Sequence, residues 1–192
     1  MRSLLLSVLA LSFLCACQTP TSTKPVEFLD ERSAMTVGSL REPIELVPDV
    51  RTGVAARLTG KHISFAYLGP VEWDKSGTLE YGLWVHVAPG SGQQIADIRS
   101  AAAVTLQLDS GSVVLSPIDA PQLGRSAYQP VAAWGQTAYY DLNVATLKQM
   151  AASQKLELDV KLADGNKASF FTQADTRAVL LDYMKARAIT AD

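Results

Sequence analysis

The chain has 192 residues, enough for about one domain, since domains usually hold roughly 100–200 residues. Apolar residues make up 48% and charged residues 19%, a globular composition that excludes an intrinsically disordered chain. The net charge of −2, from 17 basic and 19 acidic residues, argues against a dedicated nucleic-acid binder, so we expect no nucleic-acid partner.

Residues 1–16 are predicted to be a secretory signal peptide. Arg2 makes the start of the chain positive, and an apolar run from Leu4 to Leu14 follows. The run is too short to cross a bilayer as a helix, which takes about 20 apolar residues. It has the length of a signal-peptide core.

The apolar run ends in the segment Leu14-Cys15-Ala16-Cys17. This segment resembles the lipobox of bacterial lipoproteins, in which an aliphatic residue and two small residues precede a lipidated Cys. The resemblance implies cleavage before Cys17, a diacylglycerol on its thiol and acylation of its amino group, so that palmitate-like chains anchor the protein in the membrane. Because residue 18 is Gln rather than Asp, it also implies sorting to the outer membrane. The alternative is an ordinary signal peptide with two incidental Cys.

Residues 17–26 are polar, contain two Pro and lack periodicity, so they predict a lipidated Cys followed by a flexible tether. The alternative is an ordered arm that lies on the domain. Residues 27–192 are predicted to form a single β-rich domain. Both Cys precede this domain, so its stability must come from its core rather than from disulfides.

Most of the domain alternates apolar and polar residues with a period of two, which predicts antiparallel strands with one buried face. In the third predicted strand this face carries Phe65 and Tyr67. The predicted strands are 35–37, 44–47, 62–68, 79–87, 104–108, 112–115, 137–142 and 155–162.

The last of these strands is followed by the turn Ala163-Asp164-Gly165. A turn of this length places Val160 opposite Ala168 and Leu158 opposite Phe170, which keeps apolar residues together.

Two helices are predicted. Asn143 or Asp141 can cap the first, which ends at about Ser153. The second begins with a capping-box variant at Thr172 and ends at about Ile189. Its apolar stripe is Ala174, Ala178, Leu181, Met184 and Ala188. The fold class is therefore α+β and mainly antiparallel β, with sandwich-like sheet(s) and two short-to-medium helices near the C-terminus.

The sequence contains no recognisable catalytic pattern. The two histidines, His62 and His86, lie opposite the apolar stripes of their strands and are interpreted as surface or half-buried residues. A zinc site takes three or four His, Cys, Asp or Glu ligands, and no such pattern occurs, so we expect no metal and no cofactor. These features favour a non-enzymatic function.

Aromatic residues between positions 70 and 140 are the best candidates for a binding surface, because Trp and Tyr combine a large contact area with a polar group. The candidates are Trp84, Tyr128, Trp134 and Tyr139, and two of them lie in a predicted loop over residues 120–136. The alternative is that they are core residues beneath the loops.

Several segments of the body are similar to uncharacterised proteobacterial envelope lipoproteins, a resemblance that implies no activity, cofactor or catalytic residue. The segments are Leu29-Asp30-Glu31-Arg32, Thr36-Val37, Glu42-Pro43, Leu68-Gly69-Pro70-Val71-Glu72, Leu83-Trp84-Val85 and Tyr139-Tyr140. We therefore expect a lipid-anchored bacterial envelope protein that binds an envelope protein or polymer as a non-enzymatic binding or assembly module. The alternatives are an envelope hydrolase that uses His62 or His86 and a purely structural lipoprotein.

Overall fold

The computed structural model of the protein describes residues 24–48 and 64–189. The predicted signal peptide, Cys17 and His62 lie outside the described residues. The strands are β1 (Pro25–Asp30), β2 (Met35–Leu40), β3 (Ile44–Pro48), β4 (Phe65–Lys75), β5 (Thr78–Ala88), β6 (Val104–Leu108), β7 (Gly111–Val114), β8 (Pro117–Ile118), β9 (Gln136–Asp141), β10 (Glu157–Lys161) and β11 (Lys167–Thr172). The helices are α1 (Val144–Ala152) and α2 (Arg177–Ala186).

The predicted α+β class is confirmed: the structure is mainly antiparallel β, with two short helices near the C-terminus. The strands join in one sheet, in the order β7-β6-β10-β11-β3-β4-β5-β9-β8. The long strand β4 pairs with β5 along one edge, while its other edge pairs first with β3 and then with β2. Strand β1 pairs with β2, so the sheet branches at β4.

The sheet is curled, and its two ends lie close together. Leu115 and Ser116 alone separate β7 at one end from β8 at the other. The Leu115 N–H donates to the carbonyl of Val104 in β6, and the Asp141 N–H of β9 donates to the carbonyl of Ser116. The apolar side chains on the inner side of the curl form the main core, together with buried residues of the two helices.

The turn prediction is confirmed in full, since Val160 pairs with Ala168 and Leu158 pairs with Phe170. Asp159 lies on the polar side of β10 but is buried, and it accepts hydrogen bonds from the Ser169 hydroxyl, Lys167 Nζ and Gln107 Nε2. Burial works against the charged carboxylate, but these hydrogen bonds outweigh it and lower the pKa of Asp159.

The buried face predicted for β4 was also wrong. Ala66 and Leu68 point into the core, whereas Phe65 and Tyr67 are half-buried and contact each other edge-on, with ring centroids 5.6 Å apart. From their size, Phe65 and Tyr67 are expected to be the core residues of this strand. The inner side of the curled sheet is close-packed, however, and it holds the smaller side chains of Ala66 and Leu68 instead. In β5 both faces are buried from Gly82 onward, so its alternation does not distinguish inside from outside.

The first helix follows its prediction, and the second does not. Asn143 caps α1 by accepting the Thr146 N–H at 2.8 Å, which selects it over Asp141. Thr172, predicted to open the second helix, instead ends β11, where its N–H donates to the Leu156 carbonyl. Helix α2 begins at residue 177, because strand pairing outweighs a weak local cap.

The buried face of α2 differs from the predicted stripe as well. It consists of Leu180, Tyr183 and Met184, while Leu181 is 44% exposed. Met184 belongs to both sets, whereas Ala174, Ala178 and Ala188 of the predicted stripe are exposed.

Strand β1 begins inside the segment predicted as a tether. Pro25 and Val26 pair with Leu40 and Ser39 of β2. These two residues are therefore ordered, as in the alternative to the flexible tether.

Candidate functional site

The structure does not bring the four predicted binding residues together on the surface. Trp84 is 1% exposed and Tyr128 is 3% exposed, so both belong to the core and their assignment to a binding surface is corrected. Tyr139 is half-buried and Trp134 is 60% exposed. The burial of the first two results from the segment between β8 and β9, residues 119–135, which we call the covering loop because it packs over one face of β4 and β5.

Tyr128 anchors the covering loop near the point where the sheet branches. Its hydroxyl donates to the Pro70 carbonyl at 2.9 Å and accepts the Leu40 N–H at 3.0 Å. Its ring packs on Trp84, with centroids 5.2 Å apart. Gly69 makes room for it, since a Cβ at that position would lie 2.4 Å from the Tyr128 ring.

His86 forms the second anchor, and its interpretation as a surface or half-buried residue was wrong. The residue is fully buried, and its ring stacks on Trp84 at 5.8 Å. Its Nδ1 lies 2.9 Å from the Thr137 hydroxyl, and its Nε2 accepts the Ala132 N–H at 3.4 Å. Burial lowers the pKa of His86, and the neutral ring, with one donor and one acceptor, fits this environment.

Gly135 allows the covering loop to approach this ring. A Cβ at Gly135 would lie 2.4 Å from His86 Cε1 and 2.8 Å from the Val87 carbonyl oxygen. His86 is fully buried, and both of its ring nitrogens have partners within the fold. Its role in this structure is to position the covering loop.

Asp30 provides the third anchor, at the end of β1. Its carboxylate accepts the N–H and hydroxyl of Ser33, together with the backbone N–H groups of Gly124 at 2.8 Å and Arg125 at 3.1 Å. The side-chain hydrogen bond from Ser33 is the largest cause of the lowered pKa of Asp30. The carboxylate therefore stays ionised and holds the first part of the covering loop against β1.

Two cavities, of about 440 and 420 Å³, share lining residues around Tyr139. Both are lined by Tyr139 and Ala120, and we call them together the Tyr139 cleft. Arg99 and Thr137 line the first cavity, and Arg32 lines the second.

Tyr139 is held firmly in this position. Its ring contacts Trp73 at 5.6 Å, and its hydroxyl lies 3.2 Å from the Ser126 hydroxyl. Burial raises the pKa of Tyr139, so the phenol stays protonated at neutral pH. The cleft is therefore a preformed concave surface with an aromatic centre and an arginine in each half, an arrangement that suits binding.

The arginines of the cleft were not among the predicted site residues. Arg99 lies in the loop before β6, and Arg32 lies in the turn between β1 and β2. Arg32 lies in one of the segments that are similar to envelope lipoproteins, but that resemblance implies no site residue, and Arg99 belongs to no periodic pattern or motif. Of the predicted residues, Tyr139 is the one that lines the cleft.

A third cavity, of about 540 Å³, lies between β3 and the segment before α2. Its wall includes Tyr67, whose hydroxyl donates to Glu45 at 3.4 Å, and Val131 of the covering loop.

A buried ion pair connects the end of α2 to the sheet. The Arg187 guanidinium lies 3.6 Å from Glu72 Oε1 and also binds the carboxylate of Glu27. Burial raises the pKa of Glu72, while the charge of Arg187 opposes this shift.

Residues 24–48 and 64–189 contain no group of three or more His, Cys, Asp or Glu side chains able to hold a metal ion. Neither of the two helices described is long and apolar enough to cross a membrane. Comparison with protein-family models, with curated proteins and with solved structures found no match for the chain.

Proposed function

We propose that the protein is a lipid-anchored component of the bacterial outer membrane that acts as a non-enzymatic binding module. In this proposal, Cys17 carries the lipid, and the Tyr139 cleft holds an envelope protein or polymer. The observation that carries the binding role is the cleft itself, a concave surface built around a fixed aromatic ring.

Three anchors from different parts of the fold support the cleft. Tyr128, His86 and Asp30 each hold the covering loop, which forms one wall, against the sheet. A surface that binds a partner benefits from such preorganisation, because the loop loses little conformational freedom when the partner arrives.

The anchor would keep this cleft near the membrane. Strand β1 begins at Pro25, eight residues after Cys17, and eight residues span at most about 28 Å. A partner held in the cleft would therefore belong to the membrane or to the layer next to it. This short distance favours a role in envelope assembly next to the membrane over a role far from the membrane.

The lipid anchor is tested by metabolic labelling with palmitate and by membrane fractionation. We expect a Cys17→Ser chain to lose the label and to leave the membrane fraction. Cys15→Ser is the matched control, since the lipobox places the lipid on the second Cys, and it should keep both properties. Labelling that survives Cys17→Ser would contradict the anchor.

The binding role is tested by placing a photo-crosslinking amino acid at Gln122, an exposed residue of the cleft wall. We expect it to capture a discrete envelope partner in living cells. The same amino acid at Lys185, an exposed residue of α2, is the control and should not capture that partner. Equal capture from both positions, or none from Gln122, would contradict a binding role for the cleft.

A further inference from the structure

We infer that the Tyr139 cleft binds an extended acidic peptide, which pairs with the part of β9 that β8 leaves uncovered and places its carboxylates against Arg99 and Arg32. This inference rests on the proposed function and names the chemistry of the partner.

One edge of β9 is only partly paired. Strand β8 has two residues and pairs with β9 only at Tyr139 and Tyr140, whereas β5 pairs with β9 as far as Gln136. The ladder on the β8 side therefore stops before Thr137, which lines the cleft.

The backbone of Thr137 is directed towards this side of the strand. Along a strand of an antiparallel sheet, alternate residues direct their N–H and C=O groups to the same neighbour. The Asp141 N–H donates to Ser116, next to β8, so Tyr139 and Thr137 direct their groups that way too. An extended peptide that continues the line of β8 can thus pair with Thr137, as in other peptide complexes formed by strand addition.

The side chain of Arg99 already contacts the backbone of Thr137 on this side of β9, but only weakly. Arg99 Nη2 donates to the Thr137 carbonyl at 3.5 Å, the long limit of a hydrogen bond. A peptide N–H can replace that contact and leave the guanidinium for a carboxylate. Arg99 would then exchange a long hydrogen bond to a neutral carbonyl for a stronger ion pair with a carboxylate.

The charges of the cleft also favour an acidic partner. Arg99 and Arg32 are exposed, and no ion pair joins either of them to a carboxylate of residues 24–48 or 64–189. The fork of a guanidinium matches a carboxylate in geometry as well as in charge. The charged side chains that line the described cleft are two arginines and one aspartate, Asp119, so the lining carries a net charge of +1, which favours acidic partners. Asp30 lies outside this lining, and four hydrogen bonds direct its carboxylate at Ser33 and the covering loop.

The partly paired edge of β9 favours a peptide over an acidic polysaccharide, because a glycan has no repeating N–H and C=O groups to extend the ladder. The middle of the cleft presents Ile118 and Tyr139, which suit apolar side chains between the acidic ones. A peptide that alternates Glu and Val has both features.

The experiment titrates the full chain, ¹⁵N-labelled in detergent micelles, with a synthetic hexapeptide of alternating Glu and Val. Peptides in which Gln or Lys replaces each Glu, and polygalacturonate as an acidic glycan, are the comparison ligands. We expect the Glu peptide alone to shift the amide signals of Thr137 and Ala138. The binding should weaken at about 0.5 M salt, where charges are screened beyond roughly 4 Å.

Variants that remove one arginine at a time test which positive charges bind the peptide. Arg99→Gln and Arg32→Gln should each weaken binding by about fivefold, the value of one favourable exposed ion pair. Arg41→Gln is the matched control, because Arg41 is exposed and lies outside the cleft, and it should bind like the wild type.

The outcomes separate the inference from the proposed function. Equal binding of the Gln and Glu peptides would overturn the acidic specificity and leave a binding cleft in place. Binding of polygalacturonate with no shift at Thr137 for any peptide would overturn the peptide assignment in favour of a polymer. If no probe binds while the photo-crosslinker at Gln122 still captures a partner, the inference is wrong and the proposed function stands.

Discussion

Removing one hydroxyl group from the core tests how the covering loop is held. In Tyr128→Phe the ring keeps its contact with Trp84, but two buried backbone groups lose their partner. These are the Pro70 carbonyl, 2.9 Å from the hydroxyl, and the Leu40 N–H, 3.0 Å from it. Tyr128 is 3% exposed, so bulk water cannot replace the hydroxyl without a rearrangement of the loop.

The size of the effect follows from the cost of a buried polar group without a partner, about 1–3 kcal/mol for each group. Because the two groups share one hydroxyl and the loop can relax, we expect a loss of about 2–4 kcal/mol in the free energy of unfolding. For a domain of this size that loss lowers the Tm by roughly 5–12 °C.

The measurement is urea unfolding followed by Trp fluorescence, with Tyr67→Phe as the matched control. Tyr67 is half-buried, and its hydroxyl makes one long hydrogen bond, of 3.4 Å, to Glu45. Its removal should cost less than about 0.5–1 kcal/mol. If Tyr128→Phe unfolds at the same urea concentration as Tyr67→Phe, the Tyr128 hydroxyl does not anchor the covering loop.

Four further predictions concern single contacts of the fold. Gly135→Ala should destabilise the protein by about 1–3 kcal/mol, because the new Cβ would overlap the ring of His86; thermal unfolding measures the loss. Folding lowers the pKa of His86. Below about pH 6.5 its ring therefore becomes protonated in the unfolded chain while it stays neutral in the folded chain. Stability should therefore be at its full value above that pH and should decline as the pH falls, and His86→Gln should flatten this dependence in urea titrations. Asn143→Ala removes the cap of α1 and should cost about 1 kcal/mol in the same assay, whereas a loss below a few tenths would show that the cap is dispensable. Arg187→Met leaves the Glu72 carboxylate buried without its cation and should cost about 2–4 kcal/mol, and adding Glu72→Gln should recover part of that loss. Strictly additive losses in the double variant would contradict the coupling of the pair.

Local features of the fold were predictable from the sequence because neighbouring residues define them. The turn at Asp164 and the alternation of β10 specify the pairing of Val160 with Ala168 without information from the rest of the chain. The cap of α1 by Asn143 is equally local, since its side chain bonds a backbone group three residues away. The α+β class follows from the same patterns, taken in chain order.

The candidate site was not predictable in this way, because segments far apart in the chain build it. Trp84 and Tyr128 are of residue types that are common at binding surfaces, yet the covering loop folds over the sheet and buries both. The sequence around Arg99 and Arg32 indicates no binding role, and these residues meet Tyr139 only because the sheet curls and branches. Alternation along a strand distinguishes its two faces, but which face meets water depends on what packs over each, and that packing exists only in the folded chain.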